Sequence, residues 1–203
     1  MSKIYAPTKK EEEETMILND MQIMKLAEER QMIAPFCIES VQKDDNGKRI
    51  LSYGLSSFGY DIRAEDRWFV FNNTNATLID PLNMDTNSFT EKSGDGYVVI
   101  PPNSFVLASS VERIKMPEDV MCIVTGKSSV ARSGIGCLVT PLEPGWEGHI
   151  TLEFHNTTPL PAKMHANMGC CQLIFFKGGR PNKVYNERSG KYQNQHGITL
   201  PRA

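Results

Sequence analysis

The chain has 203 residues, of which 40% are hydrophobic and 23% are charged, and its formal net charge is −2. This length and composition predict one soluble globular domain with a substantial core. The weak negative charge excludes the strongly basic surface that is typical of nucleic-acid-binding proteins, so we expect no nucleic-acid partner.

The first predicted element is a charged N-terminal extension. Residues 1–15 contain the run KKEEEE, and a run of like charges is typical of flexible chain. Folded structure is predicted to begin at Met16, with one long helix capped by Asn19 or Asp20. The predicted apolar stripe of this helix consists of Met21, Met24 and Leu26 or Ala27.

After this helix the sequence predicts short strands separated by turns, because β-prone runs alternate with Gly-, Pro- and Asn-rich stops. The predicted strands are Tyr60–Arg63, Trp68–Phe71, Tyr97–Ile100, Ser104–Ile114 and Val120–Val124. A turn is predicted at 43–48 and loops at Met84–Asn87 and Lys92–Gly96. Many short strands of this kind favour an all-β sandwich or jelly roll.

The clearest predicted strand is His149–His155. Apolar residues alternate with His149, Thr151, Glu153 and His155, so one face of the strand packs and the other is polar. A strand carboxylate usually points into water, but the polar neighbours of Glu153 could form a network around it. A partly buried glutamate has a raised pKa and can move a proton near neutral pH.

The segment Gly126–Arg132, with sequence GKSSVAR, contains the groups that a phosphate site needs. Ser128 and Ser129 offer hydroxyl and backbone N–H groups in a tight turn, and Lys127 and Arg132 add two positive charges. The segment lacks the spacing of a Walker A loop. The alternative interpretation is an ordinary polar turn between strands.

The last segment, Gly178–Ala203, has too little apolar content for a core element, so we expect it to be disordered or to fold over another surface. Within it, aromatic rings that could stack on a base and polar groups that could bond a nucleotide come from Tyr185, Lys191, Tyr192 and Gln195. The alternative is a solvated tail.

Zinc chemistry and an exported location are both disfavoured by the sequence. The four histidines and five cysteines form no HxE, HExxH or CxxC motif, which zinc deaminases would need. The cysteines therefore indicate reduced thiols in a cytoplasmic protein. We find no apolar run long enough for a membrane span and no secretory signal, and expect no membrane partner.

Several of these segments together resemble the dCTP deaminase family of the dUTPase-related superfamily. The resemblance runs from about Met16 to Pro201 and rests on several motifs in the same order. These motifs are MIAPF, SYGLSSFGYDIRA, IDPLN, PPNSFVLA, GKSSVAR, HITLEFHN followed by TTPLPAK, CQLIFF, and GKYQNQHG followed by TLP.

The resemblance implies a mainly β protein of the dUTPase-like type, a distorted jelly-roll or β-clip domain with one N-terminal helix. The domain would span residues 16–178, and residues 179–203 would close over the nucleotide site. The implied assembly is a homotrimer with sites between subunits. The implied reaction is hydrolysis of dCTP to dUTP and ammonia, with Mg²⁺ carried by the triphosphate, no protein metal ligand and no zinc, and with dTTP as a possible inhibitor.

The family motifs also assign site residues to this chain. Glu153 is implied as the catalytic glutamate, with Ser128 and Arg132 as its catalytic partners. The implied substrate contacts are Lys127, Ser128, Ser129, Val130, Ala131, Arg132, Thr151, Leu152, Glu153, Gln172, Tyr185, Lys191 and Gln195.

The chain departs from parts of the family pattern between Ile135 and Trp146. It carries the shorter form of this loop, with sequence TPLEP, and Leu138 stands where many short-loop members have a polar residue. The nearest carboxylate in the loop is Glu143, which leaves open a bifunctional deaminase and dUTPase that releases dUMP and pyrophosphate. A further alternative is a catalytically silent nucleotide-binding trimer.

Overall fold

The computed structural model describes residues 16–74 and 77–202, so the extension predicted at residues 1–15 lies outside the described residues. Within that part of the chain the fold is mainly β, with helices α1 (Asp20–Arg30) and α2 (Ser128–Ala131) and single 3₁₀ turns at Thr86–Ser88 and Tyr185–Arg188. The strands are β1 (Ile33–Ala34), β2 (Val41–Lys43), β3 (Arg49–Ser56), β4 (Gly59–Phe71), β5 (Phe89–Ser93), β6 (Tyr97–Ile100), β7 (Phe105–Lys115), β8 (Val120–Gly126), β9 (Ile135–Leu138), β10 (Glu147–Asn156), β11 (Ala162–His165) and β12 (Gly169–Lys177).

The N-terminal helix is confirmed, with Asn19 as its cap. The Asn19 side chain accepts from the Gln22 N–H at 3.0 Å, and the Gln22 side chain accepts in return from the Asn19 N–H at 3.1 Å. The predicted apolar stripe is wrong in part: Ala27 is buried as predicted, but the other buried residue is Ile23, and Met21 is exposed. Ile23 and Ala27 are one turn apart and therefore share the face that packs on the sheet.

Most strands pair antiparallel in one curled sheet. Along its main path the strand order is β2-β3-β4-β7-β10-β9, and β12 branches from β4 to pair with β8 on its other side. Strand β5 pairs with β4, and β1 pairs with β7. Strands β6 and β11 form a separate two-stranded sheet. The curl encloses the core, whose largest fully buried side chains include Trp68, Tyr60, Phe154 and Phe175.

Two predicted boundaries differ from the structure. The strands predicted at Tyr60–Arg63 and Trp68–Phe71 are one strand, β4, because its ladder continues through the polar stretch between them with a register shift before Trp68. Part of the predicted loop at Lys92–Gly96 belongs to β5, which pairs with β4 from Phe89 to Ser93. Backbone pairing with a neighbour overrides weak local β preference at both places.

Strand β10 has the alternating burial that the sequence predicts, from Glu147 to Asn156. A bulge interrupts its pairing with β7 between His149 and Thr151. The N–H of Ile150 at this bulge donates to Ser110 Oγ at 2.8 Å, and that hydroxyl donates to the Glu112 carbonyl at 2.6 Å. The backbone N–H at the bulge is therefore hydrogen-bonded within the core. The bulge also sets the register in which Thr151 and Glu153 face outward.

No helix among the described residues has the length and apolar character needed to cross a membrane.

Candidate functional site

A cavity of about 610 Å³ opens beside β10, which is a size that accommodates a small-molecule ligand. Its walls come from β10, the loop that precedes β10, the loop between β4 and β5, and the C-terminal segment. The lining residues are Ile79, Pro81, Met84, Phe89, Phe105, Leu107, Val139, Thr140, Pro141, Leu142, Glu143, Trp146, Ile150, Thr151, Glu153, Tyr185, Tyr192, Gln195, Thr199 and Pro201.

Glu153 lies on the wall of this cavity between two apolar strand neighbours. It is opposite Leu107 on β7 and Leu138 on β9. Its Oε2 atom is buried and, among the described residues, has no hydrogen-bond partner. Burial of the carboxyl raises the pKa of Glu153 to about 7. A group with this pKa can both accept and release a proton near neutral pH.

The polar network predicted around Glu153 does not form within the described part of the chain. Thr151 Oγ1 accepts a hydrogen bond from the Thr199 N–H at 3.1 Å, and His149 contacts the C-terminal segment. The Nδ1 atom of His155 is buried without a partner among the described residues. The physical reason is that Thr151 and His149 are both bonded to the C-terminal segment, which leaves Oε2 of Glu153 without a hydrogen-bond partner from this face.

The C-terminal segment runs along the first half of β10. The Asn194 N–H donates to the Glu147 carbonyl at 2.7 Å, and the His149 N–H donates to the Gln195 carbonyl at 3.0 Å. Between these contacts Gly148 pairs with Gln195 in parallel, and a Cβ at position 148 would lie 2.9 Å from the Gln195 carbonyl oxygen. Strand β9 covers only the second half of β10, from Glu153 to Asn156, so the segment occupies the stretch that β9 leaves open.

Two tyrosines anchor this segment over the cavity. The Tyr185 N–H donates to the Pro144 carbonyl at 2.8 Å, and the Tyr192 N–H donates to the Tyr185 hydroxyl at 3.1 Å. Trp146 Nε1 donates to the Tyr192 carbonyl at 3.0 Å. By contrast, Lys191 does not line the cavity, and its Nζ donates to the Arg202 carbonyl at 3.3 Å.

The GKSSVAR segment lies away from this cavity. It follows β8 and forms the single-turn helix α2 where a tight turn was predicted. Ser128, Ser129, Ala131 and Arg132 are exposed, whereas Val130 is buried. None of the residues from Lys127 to Arg132, all of which the structure describes, lines the cavity.

Lys127 is held in place by Asp61 of β4, with which it forms a largely buried ion pair. Gln172 lies close by on β12, opposite Thr125 of β8, and its Nε2 donates to Ser56 Oγ at 3.3 Å. These residues form a second polar cluster that is separate from the cavity. One chain therefore presents the predicted site in two parts.

The structure places the predicted site residues as follows. The cavity is lined by Thr151, Glu153, Tyr185 and Gln195, while the second cluster contains Lys127, Ser128, Ser129, Val130, Ala131, Arg132 and Gln172. The Leu152 side chain is fully buried in the core, so only its backbone could contact a ligand in the cavity.

Sequence reasoning missed most of the apolar lining of the cavity. Its members come from distant segments, including Phe89, Phe105 and Trp146, and strand periodicity does not show that they converge. Trp146 follows the TPLEP loop after one glycine, Gly145, and this proximity was the signal available in the sequence. Glu143 of that loop is exposed and lines the cavity together with Glu153.

No group of three or more His, Cys, Asp or Glu side chains that could hold a metal ion occurs within residues 16–74 and 77–202.

Comparisons with known proteins agree with one another. Residues 17–178 match the dCTP deaminase-like family. The dCTP deaminase of Chromobacterium violaceum is 51% identical over 187 residues, which cover 92% of this chain and 98% of that protein. The dCTP deaminase of Paraburkholderia phymatum is likewise 51% identical over 187 residues, with the same 92% and 98% coverage.

A solved structure of 2′-deoxycytidine 5′-triphosphate deaminase from Agrobacterium tumefaciens has a similar fold, with a TM-score of 0.56 at 18% identity over 81% of this chain. The match spans 48% of that longer chain. At this identity the likeness concerns the fold alone.

Proposed function

The chain belongs to the dCTP deaminase-like family, and on this premise we propose that it hydrolyses dCTP to dUTP and ammonia with Glu153 as the general acid and base. The observation that carries the proposal is the Glu153 carboxyl on the wall of a nucleotide-sized cavity, with its Oε2 atom buried and without a hydrogen-bond partner among the described residues. Relatives that align over nearly their whole length and are about half identical in sequence are named dCTP deaminases, which supports the same substrate here.

In this mechanism Glu153 carries one proton through both transfer steps of the reaction. Water is a poor nucleophile at neutral pH, and ammonia leaves only after its nitrogen is protonated. The carboxylate takes a proton from water as its oxygen attacks C4 of the cytosine, and then delivers that proton to the departing nitrogen. Burial raises the pKa of Glu153 to about 7, which makes both transfers accessible at neutral pH.

Ser128 and Arg132 would complete the catalytic group. We propose that the Ser128 hydroxyl orients the attacking water and that the Arg132 guanidinium stabilises the negative charge that develops during the attack. Ser128 begins α2 and Arg132 directly follows it, and both side chains are exposed and accessible to a ligand. Neither lines the cavity of its own chain.

This separation supports a site shared between subunits of a homotrimer. A second copy that placed its GKSSVAR segment against the cavity would bring Ser128 and Arg132 to the Glu153 of its neighbour. Leu138, which faces Glu153 across the β9–β10 ladder, is 65% exposed, and Ile123 on β8 is 41% exposed. Such apolar side chains near both parts of the site suit burial against another subunit, and closed symmetry is the usual outcome.

The triphosphate would be bound by the cationic segment and not by a protein metal centre. Mg²⁺, when bound to the phosphate oxygens, neutralises part of their charge. We propose that this chain meets the ion through the phosphates. Lys127, Ser129 and Arg132 would hold the phosphates, and zinc would have no part.

The C-terminal segment would act as the cover of the site. It already lies across the cavity through Tyr185, Tyr192 and Gln195. With a nucleotide bound, we propose that it excludes bulk water, which strengthens the electrostatic interactions inside. The assignment of the domain to residues 16–178 and of the cover to residues 179–203 belongs to this proposal.

A second candidate activity is favoured by one observation. Glu143 lines the same cavity as Glu153, so a second carboxylate is available to activate water for attack on a phosphate. Such an enzyme would release dUMP and pyrophosphate from dCTP.

Product analysis distinguishes these functions. Purified protein is incubated with dCTP and Mg²⁺, and the nucleotides are separated by anion exchange. dUTP and ammonia without pyrophosphate are the expected products. dUMP with pyrophosphate would replace the proposal with the bifunctional enzyme, and binding of dCTP without any conversion would leave a silent nucleotide-binding protein. The same assay with added dTTP tests for inhibition.

A further inference from the structure

Two histidines meet where the C-terminal segment crosses β10. Nδ1 of His149 lies 3.3 Å from Nδ1 of His196, and the ring centroids are 4.8 Å apart with the rings at 78°. His149 is half-buried on the strand, whereas His196 is exposed on the segment. One imidazole can donate its Nδ1 proton to the other, so the contact is a hydrogen bond until both rings are protonated.

The histidine contact is next to the residue that the segment inserts into the cavity. Gln195 precedes His196, and it is tied to His149 through its carbonyl at 3.0 Å and through its Nε2 at 2.6 Å. Thr199 follows a few residues later and bonds Thr151. Gln195 and Thr199 both line the cavity, whereas neither histidine does. The two rings therefore act on the cavity only through the segment they hold.

We propose that His149 and His196 form a clasp that seats the C-terminal segment on β10 and so positions Gln195 and Thr199 in the nucleotide cavity. The role in substrate binding rests on the proposed function, whereas the clasp itself does not. Both histidines are positioning residues, since neither faces the reacting atoms.

The charged groups around His149 determine how the clasp responds to pH. Glu65 on β4 favours the protonated ring, whereas Arg113 on β7 and His196 on the segment disfavour it. On β10 itself, Glu147 is ion-paired with Arg113. Burial is the largest influence, and the net result is a lowered pKa for His149.

The sign of the effect follows from this lowered pKa. With the segment released, His149 binds a proton more readily than with the segment seated. Seating is therefore fully favoured above the ordinary imidazole pKa of about 6.5, and it weakens as the pH falls through that value towards the lowered one.

Tryptophan fluorescence measures the seating without a nucleotide. Trp146 donates to the Tyr192 carbonyl of the segment at 3.0 Å, while Trp68 is fully buried elsewhere in the core. We expect the emission of the wild-type protein to shift to longer wavelength as the pH is lowered from about 7.5 to about 5.5, across the imidazole range. The wavelength shift should saturate once the segment is released.

Two variants of His196 test the clasp, and both should fold because the residue is exposed. His196→Asn keeps a hydrogen-bonding atom near the Nδ1 position and removes the second imidazole, so the segment should stay seated and the pH-dependent shift should become smaller, with the part due to burial of His149 remaining. His196→Ala should show the shifted emission at pH near 7.5 and raise the KM for dCTP about 3- to 10-fold with little change in kcat. His165→Asn on β11 is the control and should titrate like the wild type.

The clasp is overturned if His196→Asn titrates like the wild type, or if His196→Ala matches the wild type at neutral pH. A normal fluorescence titration in a protein that does not turn over dCTP would instead overturn the proposed function and leave the clasp standing.

Discussion

Lys127 and Asp61 form an ion pair that fixes the start of the GKSSVAR segment to β4. Their side chains are only 13% and 11% exposed, so each charge depends on the other for compensation. The Lys127 ammonium group of the GKSSVAR segment is therefore held in a fixed position even without a bound ligand.

Asp61→Asn should lower the free energy of unfolding by about 3 kcal/mol, because it leaves the Lys127 ammonium buried without a counter-charge. Urea denaturation at fixed protein concentration measures this loss. Glu91→Gln is the matched control, since Glu91 pairs with Arg67 on the surface and its loss should change stability far less than the loss of Asp61. If both variants lost the same free energy of unfolding, burial of the ion pair between Asp61 and Lys127 would not contribute to stability.

Glu153→Gln should reduce kcat for dCTP deamination by at least about 100-fold, because the amide cannot accept and return the proton. The Kd for dCTP, measured by calorimetry, should change little, since the shape of the side chain is kept. Glu143→Gln serves as the comparison and should retain deamination. Near-wild-type turnover in Glu153→Gln would remove this residue from the mechanism.

The same substitution should stabilise the protein at alkaline pH. Burial raises the pKa of Glu153 from 4.5 to about 7 in the folded state. Above that pH the buried carboxylate is charged and lowers the free energy of unfolding. We expect Glu153→Gln to be more stable than the wild type by about 2–3 kcal/mol at pH 8, with most of the difference gone at pH 5.

Urea denaturation of the two proteins at both pH values checks this expectation. A difference that is the same at pH 5 and pH 8 would mean that the carboxyl does not titrate as described.

Truncation before Tyr185 should weaken dCTP binding, because it removes Tyr185, Tyr192 and Gln195 from the cavity wall. Calorimetry measures the Kd, and a melting curve establishes that the truncated protein is folded under the same conditions. Unchanged dCTP affinity in a folded truncated protein would refute a covering role for the segment.

Mixed oligomers test whether the site is shared. Glu153→Gln and Arg132→Ala should each be inactive alone. If Glu153 and Arg132 come from different subunits, co-expression should restore about one quarter of wild-type activity, because that share of randomly assembled interfaces carries both native residues. Absence of any restored activity in oligomers proven to be mixed would place both residues of a site in one chain.

Sequence patterns predicted β10 well because a strand with one packed face has a strict period of two, and this also identified Glu153 as an outward-facing carboxylate. They were less successful for α1, where the predicted stripe included Ala27 but took Met21 and Met24 in place of the buried Ile23, because methionine and isoleucine are both apolar. They divided β4 into two strands, because the residues before Trp68 are polar and give no strand signal. The strand continues there because its backbone pairs with neighbouring strands.

The composition of the cavity could not be predicted by the same means. Leu107, Trp146 and Thr199 line the cavity together because the sheet curls and the C-terminal segment folds back onto β10. Neither feature produces a periodic pattern in the local sequence. The distance between Glu153 and the GKSSVAR segment within one chain is likewise a property of the tertiary structure.

The C-terminal segment also has a consequence for solubility. Where β9 ends, the backbone of β10 at Glu147, Gly148 and His149 is paired on that side by residues 194 and 195. If proteolysis removed this segment, the bare N–H and C=O groups would form an exposed sheet edge that another chain could extend. The segment that covers the cavity therefore also protects the protein against edge-to-edge aggregation.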